Sequence, residues 1–254
     1  MRLVLLTQDD PFFLAENINY LISQLPAHSE IVACVLFEVG AFGKRKSLLK
    51  QAKETQGIFG TKFFLRYGFK YVFNKFNKNK KITHVLDNHD IPLVRLEKKI
   101  NHTSSIEIIK SFNPDLLISI AGNQIFKRPI IDLAPKGCIN LHTALLPKYR
   151  GLLPTFWVMK NKEKETGVSI FFVDEGIDSG PILVQKKVTI GNRTQEQLIQ
   201  HTKKIGMDGI IEAIEKIKSG NYTLLDNPDE EQSYFSTPTR KDVDVFLEGG
   251  NRFY

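Results

Sequence analysis

Three residues in the middle of the chain have the types and spacing to do acyl chemistry. CINLHTALLPKYRG (138–151) sets Asn140 and His142 two positions apart at the end of an apolar run, and VDEGIDSG (173–180) supplies Asp178. Side chains two apart on a strand point to the same face, so Asn140 and His142 can act on one atom. A histidine takes and gives protons near neutral pH, an asparagine amide donates a hydrogen bond to a developing oxyanion, and an aspartate orients an imidazole and holds its charge. None of the three is a strong nucleophile. The set suits direct attack of a substrate amine or of water on an acyl carbon, without a covalent acyl-enzyme. The competing assignment is a structural histidine at a strand end.

The surrounding pattern says what would position them. RLVLL (2–6) reads as a short buried strand, PFFLAENINYLISQL (11–25) as an amphipathic helix and EIVACVLFEV (30–39) as a second buried strand. After a basic stretch come THVLD (83–87), an IPLVRL turn into extended chain (91–96), a helix over 104–112 with a serine as N-cap, and the strand DLLISI (115–120). GCINLH (137–142), TGVSIFFVD (166–174) and PILVQKKVTI (181–190) read as further strands, LPTFWVMKN (153–161) as a helix, and 194–220 as a long helix ending at Gly220. Continuous apolar strands separated by helices predict an α/β fold, a Rossmann-like and mostly parallel sheet with helices on both faces. Such sheets place their sites at strand ends, where all three candidates lie.

Several classes are excluded. LTQDDPFF stands where a Gly-x-Gly-x-x-Gly dinucleotide loop would follow the first strand, and there is neither a phosphate-loop Gly-Lys-Ser/Thr nor a Gly-x-Ser-x-Gly elbow. Cys34 and Cys138 both sit in apolar runs, and no Cys/His spacing suggests a metal site. The apolar start MRLVLL is too short for a signal peptide, and no segment approaches the roughly 20 apolar residues of a membrane span, so a cytoplasmic protein is expected. The charge is concentrated: residues 41–81 hold twelve Lys and Arg against Glu54 alone, more than the whole chain's net +7, interleaved with Phe59, Phe63, Phe64, Tyr67, Phe69, Tyr71, Phe73 and Phe76. Such a mixture covers phosphates, nucleic acid or anionic headgroups, and the stretch is expected to touch an anionic membrane surface, peripherally; the bland alternative packs the aromatics inward and solvates the lysines.

The whole stretch GCINLHTALLPKYRGLLPTFWVMKNKEKETGVSIFFVDEGIDSGPIL (137–183) resembles the signature region of the folate-dependent formyltransferases, which include glycinamide ribonucleotide, methionyl-tRNA and amino-sugar N-formyltransferases. The shared features are Asn-x-His, Leu-Leu-Pro with Arg-Gly, a Trp-containing helix, Thr-Gly-Val and an Asp near a Gly-Pro end. The resemblance covers about residues 1–190, with the basic stretch as an insertion, and implies the formyltransferase fold. It further implies transfer of a formyl group from 10-formyltetrahydrofolate to a primary amine. Asn140 and His142 would stabilise the oxygen of the tetrahedral intermediate, His142 would also handle protons, and Asp178 would orient and polarise it. The pterin would lie against AGNQI, through Gly122, Asn123, Gln124 and Ile125, and against VDEGID, through Asp174, Glu175 and Gly176, largely by backbone groups; ordinary turn chemistry accounts for both loops without a ligand. Thr143 and Ala144 stand where many relatives carry a serine.

A formyltransferase catalytic domain is expected over 1–220, with the basic aromatic insertion at about 41–81, and a small C-terminal accessory arm or hairpin over 221–254. Only 64 residues follow residue 190, which weighs against methionyl-tRNA, and the ending SYFSTPTRKDVDVFLEGGNRFY looks like that of amino-sugar N-formyltransferases. The expected acceptor is a nucleotide-linked amino sugar, with Lys148 and Arg150 on its phosphates; the alternative pairs Arg150 with a neighbouring carboxylate and leaves Lys148 in solvent. Methionyl-tRNA or glycinamide ribonucleotide formyl transfer, a formyltetrahydrofolate hydrolase and a non-catalytic basic surface-binding protein remain as alternatives. A homodimer is expected from family pairing through C-terminal elements.

Overall fold

The computed structural model describes residues 1–38 and 47–254. The elements run β1 (Arg2–Gln8), α1 (Leu14–Ser23), β2 (Glu30–Phe37), α2 (Leu48–Phe59), α3 (Thr61–Phe76), α4 (Ile82–Asn88), β3 (Leu93–Val94), α5 (Thr103–Lys110), β4 (Leu116–Ile120) and α6 (Arg128–Ile131). They continue with β5 (Cys138–His142), β6 (Arg150–Gly151), α7 (Pro154–Lys160), β7 (Glu165–Phe172), β8 (Ile182–Thr189), α8 (Gln195–Ser219), β9 (Tyr234–Phe235) and α9 (Arg240–Glu248). Seven strands form one sheet in the order β3-β2-β1-β4-β5-β7-β8. The pairs from β3 to β5 are parallel, and β7 and β8 close that side antiparallel. The fold is the expected mostly parallel α/β sheet.

Burial on both faces explains the continuous apolar strands. On β1, Leu3 and Leu5 enter one core, which takes in residues of α1, α4 and α8, while Val4 and Leu6 enter the other, which takes in residues of α5 and α6. Helix α8 is fixed at both ends: Thr194 and Gln197 form a reciprocal capping box, and Gly220 closes the C-terminus in a left-handed conformation. Gly206 lets α8 approach β5, because a Cβ there would lie 2.7 Å from Leu141. Among the described residues no helix is long and apolar enough to cross a membrane.

Some elements differ from the sequence expectation. THVLD lies in helix α4, where Ile82, Val85 and Leu86 turn into the core. Helix α5 is capped by His102, not by a serine, because the imidazole Nδ1 accepts from the Ser104 N–H. The second strand is expected to reach residue 39 but ends at Phe37; Val39, together with Lys44, Arg45 and Lys46 of the basic stretch, lies outside the described residues. The chain after Gly220 returns along the molecule, where β9 pairs in parallel with β6 and α9 packs its buried Val243 and Phe246 into a core shared with α7.

Candidate active site

Strand β5 carries the first two candidates, with β4 parallel on one side and β7 antiparallel on the other. Ile139 and Leu141 go into the core beneath α8, so the alternation turns Asn140 and His142 to the opposite face. Asn140, half-buried and in register with Ser119 and Phe171, has no side-chain partner among the described residues. A free, half-buried amide is a donor waiting for an acceptor.

The chain after β5 folds back over the histidine. The His142 imidazole is 7% exposed and its Nε2 lies 2.7 Å from the Tyr149 carbonyl, a contact that requires Nε2 to carry the proton and donate. The other nitrogen, Nδ1, stands 3.5 Å from Asp178 Oδ2. That carboxylate also accepts the Gly151 N–H at 2.9 Å, and Asp178 itself holds a left-handed φ of 52° in the β7–β8 loop. Only a glycine fits at 151: its φ is 97°, and a Cβ would lie 2.2 Å from the Phe235 carbonyl oxygen. The structure thus brings His142 and Asp178 together and leaves Nδ1 as the nitrogen able to take and return a proton.

Side chains distant in sequence hold this geometry. Ser169 donates to the Ala144 carbonyl at 2.8 Å and accepts from the Leu146 N–H, and Gln185 donates to both Ser169 and the Leu146 carbonyl. The Tyr149 ring stacks on Phe235 at 5.3 Å, and its hydroxyl donates to Glu163 and accepts from Asn161. Burial, and then that bond to the Glu163 carboxylate, push the Tyr149 hydroxyl up to about 12. Arg150 is 2% exposed and spends its guanidinium on Asp229 at 2.6 Å, Gln232 at 2.9 Å and both oxygens of Asn227. Asn227 in turn donates to the carbonyls of Asp178 and Gly180, both at 2.9 Å. The Ser233 hydroxyl accepts the Tyr149 N–H, and the Ser233 carbonyl accepts the Arg150 N–H. Residues 227–235 therefore form a strap that ties the Asp178 loop to the Tyr149–Gly151 segment.

The two substrate candidates part ways here. Arg150 faces the strap, the carboxylate-paired alternative for this residue. Lys148 is exposed and borders a cleft of about 480 Å³ that also takes in Tyr149, Lys162, Lys164 and Thr166. That cleft includes none of the three candidates, but shares with them Tyr149, whose carbonyl holds His142.

The two loops expected to hold a pterin leave the sheet beside opposite ends of β5, 121–125 after β4 and 173–178 after the antiparallel β7, and Glu175 of the second makes an exposed pair at 3.3 Å with Arg128 at the start of α6. Their side chains build the loops: Gln124 accepts the Ile100 N–H, the Asn123 amide donates to the Glu38 carbonyl at 2.7 Å, and Asp174 accepts from Gly176 N–H and the Ser179 hydroxyl. What they leave available is backbone. The N–H groups of Gly122, Gln124 and Ile125 have no partner among the described residues, and Ile125 and Ile177 present 52% and 44% of their surface. Unpaired amides beside exposed aliphatic side chains fit a flat heteroaromatic ring with hydrogen-bonding edges. Among the described residues no cluster of His, Cys, Asp and Glu could hold a metal.

Known proteins resemble this chain in sequence and in fold. The family described as formyl transferase matches residues 68–214, more than half of the chain. A methionyl-tRNA formyltransferase of Kosmotoga olearia is 33% identical over 175 residues, 68% of this chain and 56% of that protein. The chain spans about half the length of the curated relatives it matches. Two solved structures share the fold. Phosphoribosylglycinamide formyltransferase from Bacillus halodurans has a TM-score of 0.60 at 20% identity, covering 86% of this chain and 96% of that one. The N-formyltransferase from Helicobacter canadensis, solved with folinic acid and dTDP-3-aminofucose, has a TM-score of 0.59 at 18% identity, covering 97% of this chain and 79% of that one.

Proposed function

The chain belongs to the formyl transferase family, and from that membership we propose that it moves a formyl group from 10-formyltetrahydrofolate to the primary amine of a nucleotide-linked amino sugar. The observation that carries this reading is the free Asn140 amide on one strand face with a His142 whose Nδ1 is set 3.5 Å from Asp178. The backbone amides of Gly122, Gln124 and Ile125, which have no partner among the described residues, and the 173–178 loop would hold the pterin. When bound, the folate supplies the activated formyl carbon and a nitrogen leaving group. Asn140 donates to the formyl oxygen as negative charge develops there, where a preorganised donor stabilises the transition state more than the ground state. As the new nitrogen–carbon bond forms, His142 Nδ1 takes the proton shed by the attacking amine and returns one to the departing nitrogen. The Asp178 carboxylate stabilises the imidazolium in between, while the Tyr149 carbonyl fixes the ring by accepting from Nε2. Burial of the imidazole limits access of water, which favours amine over hydrolysis.

The choice of acceptor rests on two features. The ending that resembles amino-sugar enzymes, 233–254, begins within the strap, where Ser233 holds Tyr149 and Arg150, and Lys148, Lys162 and Lys164 rim the adjacent cleft, where they can meet acceptor phosphates. A second reading, formylation of methionyl-tRNA, is favoured by the name of the curated relative. Incubating the protein with 10-formyltetrahydrofolate and, in turn, nucleotide-linked amino sugars, methionyl-tRNA and glycinamide ribonucleotide, then identifying the formylated product by mass spectrometry, tests the proposal. A formylated sugar is the expected result, and formylation of only the tRNA or the ribonucleotide overturns it.

A further inference from the structure

Helix α3 is apolar on two opposite faces, and only one is covered. On the inner face Phe63 stacks with Phe59 at 4.7 Å and with Tyr67 at 4.3 Å and meets Phe253 edge-on at 4.9 Å, while the Asn74 amide donates to the Pro11 carbonyl at 2.9 Å. On the outer face Leu65, Phe69, Val72 and Phe76 follow each other at four- and three-residue steps, one stripe along the helix. They are 64%, 76%, 55% and 80% exposed, and Phe73 at 62% widens the stripe. A helix that packs one face on a domain ordinarily turns polar residues outward. Large contiguous apolar surface on a soluble chain marks an interaction site.

The charge around the stripe says what it meets. No Asp or Glu occurs between residues 55 and 81. The inward cations are used within the molecule, Lys70 on Glu196 and Lys80 on Glu16, and Arg66 lies over the Tyr254 ring at 4.1 Å. Lys62, Lys75 and Lys78 are exposed and have no carboxylate partner among the described residues. We propose that the outer face of α3 docks the protein on an anionic lipid surface, with Leu65, Phe69, Val72 and Phe76 among the upper acyl segments and Lys62, Lys75 and Lys78 against headgroup phosphates. A second copy of the chain is a poorer occupant, because a two-fold interface would set lysine against lysine. Nucleic acid uses the cations and the rings but leaves the aliphatic members of the stripe, Leu65 and Val72, without a role. A bilayer interface uses all of them.

Docking has a geometric consequence. The inner face of α3 packs on Pro11 and, through Tyr67, on Phe12 at 5.7 Å, in the connection that leaves the C-terminal end of β1. Strand β5 ends at His142 on that same edge of the parallel sheet, so a docked molecule holds its reaction edge beside the membrane.

The test is co-sedimentation of the full chain with large vesicles of phosphatidylcholine alone and of phosphatidylcholine mixed with phosphatidylglycerol, at low and physiological salt. Two paired variants accompany it, Phe69→Ser with Phe76→Ser and Lys62→Gln with Lys75→Gln. All four positions are exposed, so the thermal midpoint is expected to stay unchanged, which separates loss of docking from loss of fold. The expected result is binding to the phosphatidylglycerol vesicles that weakens with salt, lowered about thirtyfold by the lysine pair and about a hundredfold by the phenylalanine pair. No binding to either vesicle, or binding that survives both paired variants, overturns the proposal. So does self-association abolished by the phenylalanine pair, or tRNA binding abolished by the lysine pair, when either occurs without vesicle binding.

Discussion

Replacing Asn227 by alanine removes the side chain that joins the two halves of the candidate site. The amide donates to the carbonyls of Asp178 and Gly180, both at 2.9 Å, and its oxygen accepts from the buried Arg150 guanidinium at 3.0 Å. A neutral hydrogen bond is worth about 1 kcal/mol net and one to a charged group about 1.5–3 kcal/mol, which taken singly comes to about 4 kcal/mol. The three bonds share one half-buried side chain, so they are not additive, and the expected loss is about 2–3 kcal/mol. For a chain of this size that lowers the thermal midpoint by roughly 5–10 °C. The rate is expected to fall further than the midpoint implies, because the carboxylate facing His142 loses its anchor, and displacements of about 1 Å near a reacting centre cost about a hundredfold. Asn227→Asp separates the effects: it keeps an acceptor for Arg150 but loses both donors, so kcat stays low while the midpoint recovers in part. Thermal unfolding and tetrahydrofolate release, measured on both variants, check this. An Asn227→Ala protein with unchanged midpoint and unchanged kcat would refute the strap.

Three further outcomes follow from the same geometry. Asp178→Asn keeps an acceptor for the Gly151 N–H but removes the charge 3.5 Å from His142 Nδ1, so kcat is expected to fall roughly a thousandfold with little change in midpoint. Gly151→Ala places a Cβ 2.2 Å from the Phe235 carbonyl oxygen at a φ of 97°, and is expected to cost about 2 kcal/mol or more of unfolding free energy, read as a lowered thermal midpoint, and to abolish turnover. Burial pushes the Asp242 carboxyl up, but the Thr239 hydroxyl and N–H and the Lys160 ammonium outweigh it and hold it below its ordinary range. Its folded value is thus lower than its unfolded one of about 4, so its contribution is present above about pH 4 and is lost as the pH falls through the folded value. The midpoint of Asp242→Asn should accordingly depend less on pH on the acid side than that of the unsubstituted protein.

The parts of this account that were legible in the sequence are those carried by local pattern. Alternation on one strand put Asn140 and His142 on one face, and the Thr194 and Gly220 signals bounded α8. What was not legible depends on contacts between segments far apart. Arg150 meets Asn227 and Asp229 about eighty residues later, and nothing in KYRG distinguishes an arginine bound for a ligand from one bound for a strap. Ser169 and Gln185 lie inside ordinary strand patterns, and only the pairing of β7 with β8 brings them beneath the Ala144–Leu146 turn. The basic aromatic stretch was legible only in part. Its aromatics divide between a packed and an exposed face of α3, and periodicity alone does not say which of two apolar faces the domain covers.

The most direct test of the central claim is spectroscopic measurement of tetrahydrofolate release from 10-formyltetrahydrofolate, with and without an amine acceptor, for the unsubstituted protein and for His142→Ala. Release that requires the amine and is lost in the variant is the predicted result. Release that proceeds without any amine, or that survives the loss of His142, would contradict the assignment of this site as the centre of formyl transfer.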